Sequence, residues 1–282
     1  MVQLLLHGIT HDRRYWDFPY GSGTYSYPKS AVDNFGFATL AIDRLGTGES
    51  SWPPTIETSP NQQVATFHSI VEQLRRGNIG GVKFDKVIAV GHSRGALLIE
   101  YWTSIFPKDM DHIVLTGWYR DVDISTKPYL DLFKSLVPVN EVHTNMNAPD
   151  SNYMTIATED TRISLFFHSH LYESKVGDID YAVSQPFTTT EDKKIMTMTA
   201  GTTRFKGTVL VMAGEYDGFG CVNRACTKSI FKNEPSYWKG ASKFATWLMP
   251  ATGNSINLHR NAPSASAYIN GWLLRNGVNP FV

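Results

Sequence analysis

Residues 84–95 read FDKVIAVGHSRG, an apolar, β-branched run from Val87 to Val90 that stops at Gly91-His92-Ser93-Arg94-Gly95. A serine that is to attack a carbonyl must stand exposed at the end of a strand, on a turn so tight that its own backbone is strained. Glycines two before and two after leave room for that turn, which must lead directly into a helix. Ala96 to Ile105 (ALLIEYWTSI) supplies one, apolar enough to pack beneath a sheet. The five-residue string alone arises by chance; the strand before it and the helix after it give it meaning. The stretch therefore predicts an α/β chain with Ser93 as a nucleophile.

The length of 282 residues allows one large core or two modest ones. With 42% hydrophobic and 18% charged residues, the composition is that of a globular protein. The 26 basic residues balance 26 acidic ones, which argues against a nucleic-acid or anionic-membrane partner, since either favours a basic face. No apolar run approaches the roughly 18 residues of a membrane span. Leu4 to Leu6 lacks a basic leader and a long apolar centre, so no signal peptide is read and a cytoplasmic location is expected. The two cysteines, Cys221 and Cys226, lie in GFGCVNRACTK without a histidine cluster, a poor zinc site. The alternative is a disulfide staple on a loop, which would point to secretion of a chain whose leader is missing here.

Four apolar runs have the length and β-branched content of buried parallel strands: Val2 to Leu6, Ala38 to Ile42, Val87 to Val90 and Ile113 to Thr116. Two more follow much later, Thr208 to Ala213 and Ala245 to Met249. Helix-length segments separate them, the alternation of a parallel sheet. Pro60 to Arg76 is the clearest crossover helix, entered through Ser59-Pro60 and left at Gly77. Between Trp118 and Arg204 the alternation stops, and aromatics such as Tyr129, Phe133, Phe166, Phe167 and Tyr172 accumulate. This segment reads as a lid of several short helices inserted between two strands. The organisation is then a core at 1–117, a lid at 118–204 and the rest of the core at 205–282.

A serine hydroxyl is a poor nucleophile until a histidine takes its proton, and that histidine needs a carboxylate to fix its tautomer. In sites built on such an elbow the chain order is serine, acid, histidine. The run Thr208 to Ala213 leads into Gly214-Glu215-Tyr216-Asp217-Gly218, which offers two carboxylates. Asp217, deeper in the loop, is the chosen acid; Glu215 sits nearer the strand, where a structural role is expected. The first strand closes in His7-Gly8-Ile9-Thr10. The backbone N–H of Ile9 or Thr10 would join that of Arg94 in an oxyanion hole. His7 and His92 are read as turn residues, and His168 and His170 as lid residues. No metal or cofactor is called for.

LLLHGITHDRRYW, AIDRLGTGESS, GHSRG, AGEYDGFGC and PATGNSINLHRNAP, in that order, resemble the α/β-hydrolase superfamily, particularly its fungal serine-hydrolase-like members. The resemblance covers nearly the whole chain. It implies an α/β-hydrolase fold with a mostly parallel sheet flanked by helices and an inserted helical lid. Ser93 would be the nucleophile and Asp217 the acid, with Asp43 to Ser51 a structural loop beside the site. Two departures stand out. Members usually open with a β-hairpin that is absent before Val2, which would leave a bare sheet edge. They also place the catalytic histidine directly after the glycine of the last loop, where this chain has Asn254, and an asparagine cannot act as a general base.

His259 is the only histidine after Asp217, so chain order makes it the candidate base. With Asn261 capping the final helix and Pro263 in its first turn, His259 would lie in the preceding loop, within reach of Ser93. If Asn254 or Ser255 instead caps a helical turn, His259 is carried roughly 7 Å along the axis and away from it. The leading expectation is a serine hydrolase acting on an ester, lactone or related acyl bond of a medium-sized apolar small molecule through Ser93, Asp217 and His259. The alternatives are a lyase or cyclase of secondary metabolism on the same site, and a binding protein whose triad has decayed at Asn254. A small molecule is the expected partner, with a homo-oligomer left open.

Overall fold

Six stretches of chain with alternating side-chain faces build the sheet that positions Ser93. The computed structural model describes residues 1–122, 125, 127–191, 202–221 and 226–281. Its main sheet runs β2-β1-β3-β4-β8-β9, all parallel: β1 Val2–Leu6, β2 Ala38–Ile42, β3 Val87–His92, β4 His112–Thr116, β8 Thr208–Gly214 and β9 Lys243–Met249. Helices cover both faces, the α/β-hydrolase arrangement.

The period of two along each strand divides the interior into two cores. Val2, Leu4 and Leu6 of β1, Val87 and Ala89 of β3 and Val209 and Val211 of β8 face α2 (Pro60–Arg76) and α3 (Arg94–Ile105), meeting Val64, Phe67, Leu98 and Trp102. Leu5, Ile88, Val90, Val114 and Leu210 face the other way. There they meet Tyr27 and Ala31 of α1 (Tyr27–Phe35) and Ile269 and Leu273 of the C-terminal helix Ala262–Arg275. Each fully buried aliphatic side chain contributes on the order of 2 kcal/mol, so the two cores hold the strand ends firmly. A polar pair inside the second core is satisfied: Gln3 donates to Asn270 at 2.7 Å and accepts from the Tyr27 hydroxyl at 2.7 Å.

Among the described residues β2 forms one edge of the sheet. Its residues are all half-buried, whereas every residue of β1 is buried. No helix among the described residues is long and apolar enough to cross a membrane.

β4 and β8 are hydrogen-bonded neighbours although a long insertion, the expected lid, separates them in sequence. Of the expected lid span 118–204, residues 123, 124, 126 and 192–201 lie outside the described residues. The described part contains α4 Lys127–Lys134, α5 Val139–Val142, α6 Glu159–Phe166 and α7 Ser174–Ala182. It also contains an antiparallel sheet that the sequence reading did not foresee, β5 Leu136–Pro138, β6 Tyr153–Ile156 and β7 Phe187–Thr188. Strands of two to four residues are too short to show a period. Leu132, Ile156, Leu165, Phe166 and Phe187 of the lid merge with the core on the C-terminal-helix side.

Candidate active site

Ser93 joins β3 to α3 with φ 49° and ψ −114°, a conformation that L-residues rarely adopt. Its N–H donates to the Thr116 carbonyl of β4 at 2.7 Å, and its carbonyl accepts from Leu97 N–H at 3.1 Å. The flanking glycines are required by contact. A Cβ on Gly91 would lie 2.6 Å from Ile99 Cδ1, and one on Gly95 would strike the Leu6 carbonyl. His92 turns away from the serine side, stacked on Tyr15 with ring centroids 4.2 Å apart.

The turn after β1 presses against this elbow: a Cβ on Gly8 would approach Ser93 Cβ to 3.1 Å. Ile9 and Arg94 both line the cavity beside Ser93. Arg94 is the first residue of α3, where an N–H has no intrahelical partner. His7 is fully buried; its Nε2 accepts from Arg44 N–H at 3.0 Å and its Nδ1 donates to the Gly8 carbonyl at 2.9 Å, which fixes the turn. Burial holds its pKa well below the usual histidine value.

Thr10 has φ 55° and is held by a group no sequence pattern announced. The buried Arg162 of α6 donates to Thr10 Oγ1 at 2.7 Å and to its carbonyl at 3.2 Å. The same guanidinium is paired with Asp180 of α7 at 2.6 Å, and Asp180 also faces His11 at 3.3 Å. At the other end of the lid, Glu191 accepts from Arg44 at 2.8 Å and from Gln63 at 2.9 Å, with Arg94 Nε 3.9 Å away. Carboxylates and an arginine from the insertion between β4 and β8 thus brace both the β1 turn and the elbow.

Asp217 lies at the end of β8, buried. Its Oδ1 accepts from Phe219 N–H at 3.0 Å and its Oδ2 from Asn254 Nδ2 at 2.9 Å. Burial pushes its pKa up to about 6 against the pull of these bonds. Glu215 serves elsewhere: its Oε2 accepts from Ala251 N–H at 2.9 Å and ties two loops together. Asn254 is 1% exposed and shares the cavity with Ser93, so the position that the resemblance gives to a histidine stands next to the acid. Its orientation is fixed by chemistry. Asp217 Oδ2 and the Gly117 carbonyl, 3.3 Å away, are both acceptors, so the amide nitrogen faces them.

His259, the expected base, is placed outside the residues that line the cavity at Ser93. Ser255 caps a 3-10 turn at Ile256–Leu258, and His259 follows it with both ring nitrogens committed to backbone. Nδ1 donates to the Ser255 carbonyl at 2.8 Å, and Nε2 accepts from Gly253 N–H at 3.0 Å and His168 N–H at 3.3 Å. Fully buried against Phe167, the ring has its pKa lowered to about 4 by desolvation and stays neutral. It knits the last loop to the lid and does not line the cavity at Ser93. Gly253 shows the tightness of the fit: a Cβ there would lie 3.0 Å from His259 Nε2. His168 stacks on Tyr216 and His170 sits in a turn at φ 66°.

The space beside Ser93 is small, about 30 Å³ open to a water-sized body, with Leu97, Leu132, Trp118 and Phe219 as its apolar walls. Three of these walls lie outside the motifs read from sequence. Among the described residues no three His, Cys, Asp or Glu side chains converge as metal ligands. Cys221 and Cys226 form a disulfide behind the Asp217 loop.

A model of the family described as "Alpha/beta hydrolase family" matches residues 3–189. No curated protein matches the chain. Among solved structures, a methylesterase, MES16, from Arabidopsis superposes with a TM-score of 0.64 at 13% identity, covering 98% of each chain. A thermophilic esterase from Thermogutta terrifontis gives 0.63 at 14%, covering 98% of this chain and 90% of that one. Tomato methylketone synthase I gives 0.64 at 12%, covering 99% and 98%. At such identities the likeness is one of fold.

Proposed function

The chain belongs to the alpha/beta hydrolase family, and from that premise we propose that Ser93 marks a serine-hydrolase-type site for an ester, lactone or related acyl bond of a medium-sized apolar molecule, with turnover throttled at Asn254. The observation that carries this reading is the Asp217–Asn254 hydrogen bond at 2.9 Å beside the strained Ser93. A bound carbonyl would direct its oxygen at the N–H groups of Ile9 and Arg94, which stabilise negative charge developing there. Ser93 Oγ would then face the carbonyl carbon. Attack releases the hydroxyl proton, which must pass to solvent water because an amide oxygen is far too weak a base to take it. Binding and polarisation of the acyl group are retained, whereas the fast proton shuttle of a histidine is not. The Cys221–Cys226 disulfide favours an oxidising compartment over the cytoplasm expected from the sequence.

Intact-mass labelling with a fluorophosphonate and hydrolysis of p-nitrophenyl butyrate test this. The wild type should label slowly, and Asn254→His should label and turn over faster by about 100-fold or more, the usual worth of a positioned base. Ser93→Ala should abolish both gains. Rapid labelling of the wild type that disappears in His259→Gln would overturn the reading.

A further inference from the structure

Beside Asp217 the chain holds an acceptor that none of the described residues satisfies. Asn254 Oδ1 is buried without a hydrogen-bond partner, and the amide is pinned from its other side. Nδ2 is taken up by Asp217 and the Gly117 carbonyl, and Asn254 lines the cavity it shares with Ser93, which leaves Oδ1 as the acceptor of that residue open to a ligand's donor. A buried acceptor left unmade is costly, and a donor supplied by a ligand removes that cost.

We propose that the Ser93 site binds neutral alcohols with an apolar body, the ligand hydroxyl donating to Asn254 Oδ1. Three observations select this class. Asn254 Oδ1 is a single unsatisfied acceptor in a lining that is otherwise largely apolar, which suits a ligand with one neutral donor. The cavity walls, including Leu97, Trp118, Leu132 and Phe219, are apolar or aromatic and suit a hydrocarbon body. The acceptor is a neutral amide oxygen, which takes a hydroxyl proton into a hydrogen bond without removing it. This deepens the acyl-site reading and rests on it, since an alcohol is the leaving half of an ester. A histidine in this place would donate a proton to a departing alkoxide, whereas Asn254 Oδ1 only accepts a hydrogen bond from the finished alcohol.

The test is isothermal titration of the wild-type chain with 2-phenylethanol and with its methyl ether, which has the same body and no donor. The alcohol should bind about tenfold more tightly, the worth of one good hydrogen bond to a buried acceptor. Asn254→Leu should reduce the ratio to about one, and Asn254→His, which restores an acceptor in the same place, should keep it. Because the leucine variant strips Asp217 of a partner and can fail to fold, the Asn254 side-chain ¹³C shift in the wild type gives a second readout, moving with the alcohol and not with the ether. Equal affinity for the two probes, as when a water or the Ser93 hydroxyl already satisfies Oδ1, would overturn the proposal. So would a preference that survives in Asn254→Leu. Failure here with a gain of labelling in Asn254→His leaves the acyl site standing; alcohol preference without that gain sinks the acyl site alone.

Discussion

The Ser93 end and the Asn254 end of the cavity are held by different kinds of structure. Ser93 is fixed by regular elements: a buried strand before it, a helix after it, and a hydrogen bond to the neighbouring strand at 2.7 Å. The Asn254 end, residues 253–259, is held by side chains reaching backbone groups, chiefly His259 to Gly253 and Ser255 and Asn254 to Asp217. Regular structure leaves little freedom of residue type at the elbow, where any Cβ on Gly91 or Gly95 collides. The loop is more permissive. On the proposed reading, Asn254 Nδ2 donates to Asp217 as a histidine Nδ1–H would, which keeps the architectural half of a histidine's task without the proton-accepting half.

The sharpest way to break that comparison is to restore the base and remove the other histidine together. Asn254→His with His259→Gln should keep most of the gain of about 100-fold or more in ester turnover seen with Asn254→His alone. Loss of the gain in a folded double variant would make His259 part of the chemistry. A smaller effect is expected on stability. His259→Leu leaves Gly253 N–H and the Ser255 carbonyl buried without their ring partner, and urea unfolding should show a loss of about 3 kcal/mol. A loss below about 0.5 kcal/mol would refute the role as a loop clamp.

The pH dependence separates the two ends of the Asp217–His259 region by sign. Asp217 has its folded pKa raised to about 6, so its stabilising contribution is complete below about 4 and disappears as pH rises through 6. His259 has its folded pKa lowered to about 4, so its contribution is present above about 6.5 and is lost as pH falls toward 4. Asp217→Asn should therefore remove a fall in stability between pH 4 and 6, and His259→Gln should remove a rise across nearly the same interval. Denaturation midpoints between pH 4 and 7 check both. The least effect is at the elbow itself: Ser93→Gly relieves the φ 49° conformation and should stabilise the fold by about 1 kcal/mol while ending all labelling.

The sheet and the elbow were legible because their signals are local. Val87 to Val90 and Thr208 to Ala213 are unbroken apolar runs, and the glycines around Ser93 answer to atoms within one strand and one helix. Asn254 was legible as a substitution because it follows a glycine in a recognisable loop. The partners of His259 cannot be read from spacing: Gly253 lies in its own loop, but His168 comes from the lid, 91 residues earlier. The bond from Arg162 to Thr10 spans 152 residues, and no period or motif connects the two. The lid strands β5 to β7 were invisible for the opposite reason, being too short to carry a pattern at all.

The pairing of β4 with β8 has a kinetic side. His112 and Thr208, adjacent across the sheet, are 96 residues apart in the chain, so this seam closes only after a long loop has been brought round. Strands β1 to β4 all lie within the first 116 residues, and the segment that carries Asp217 and Asn254 follows the insertion in the chain. The lid's two ends are left side by side, on neighbouring strands. Such an insertion can be exchanged for another without redrawing the sheet, and the pocket's taste in ligands can change while the serine beneath it stays where it is.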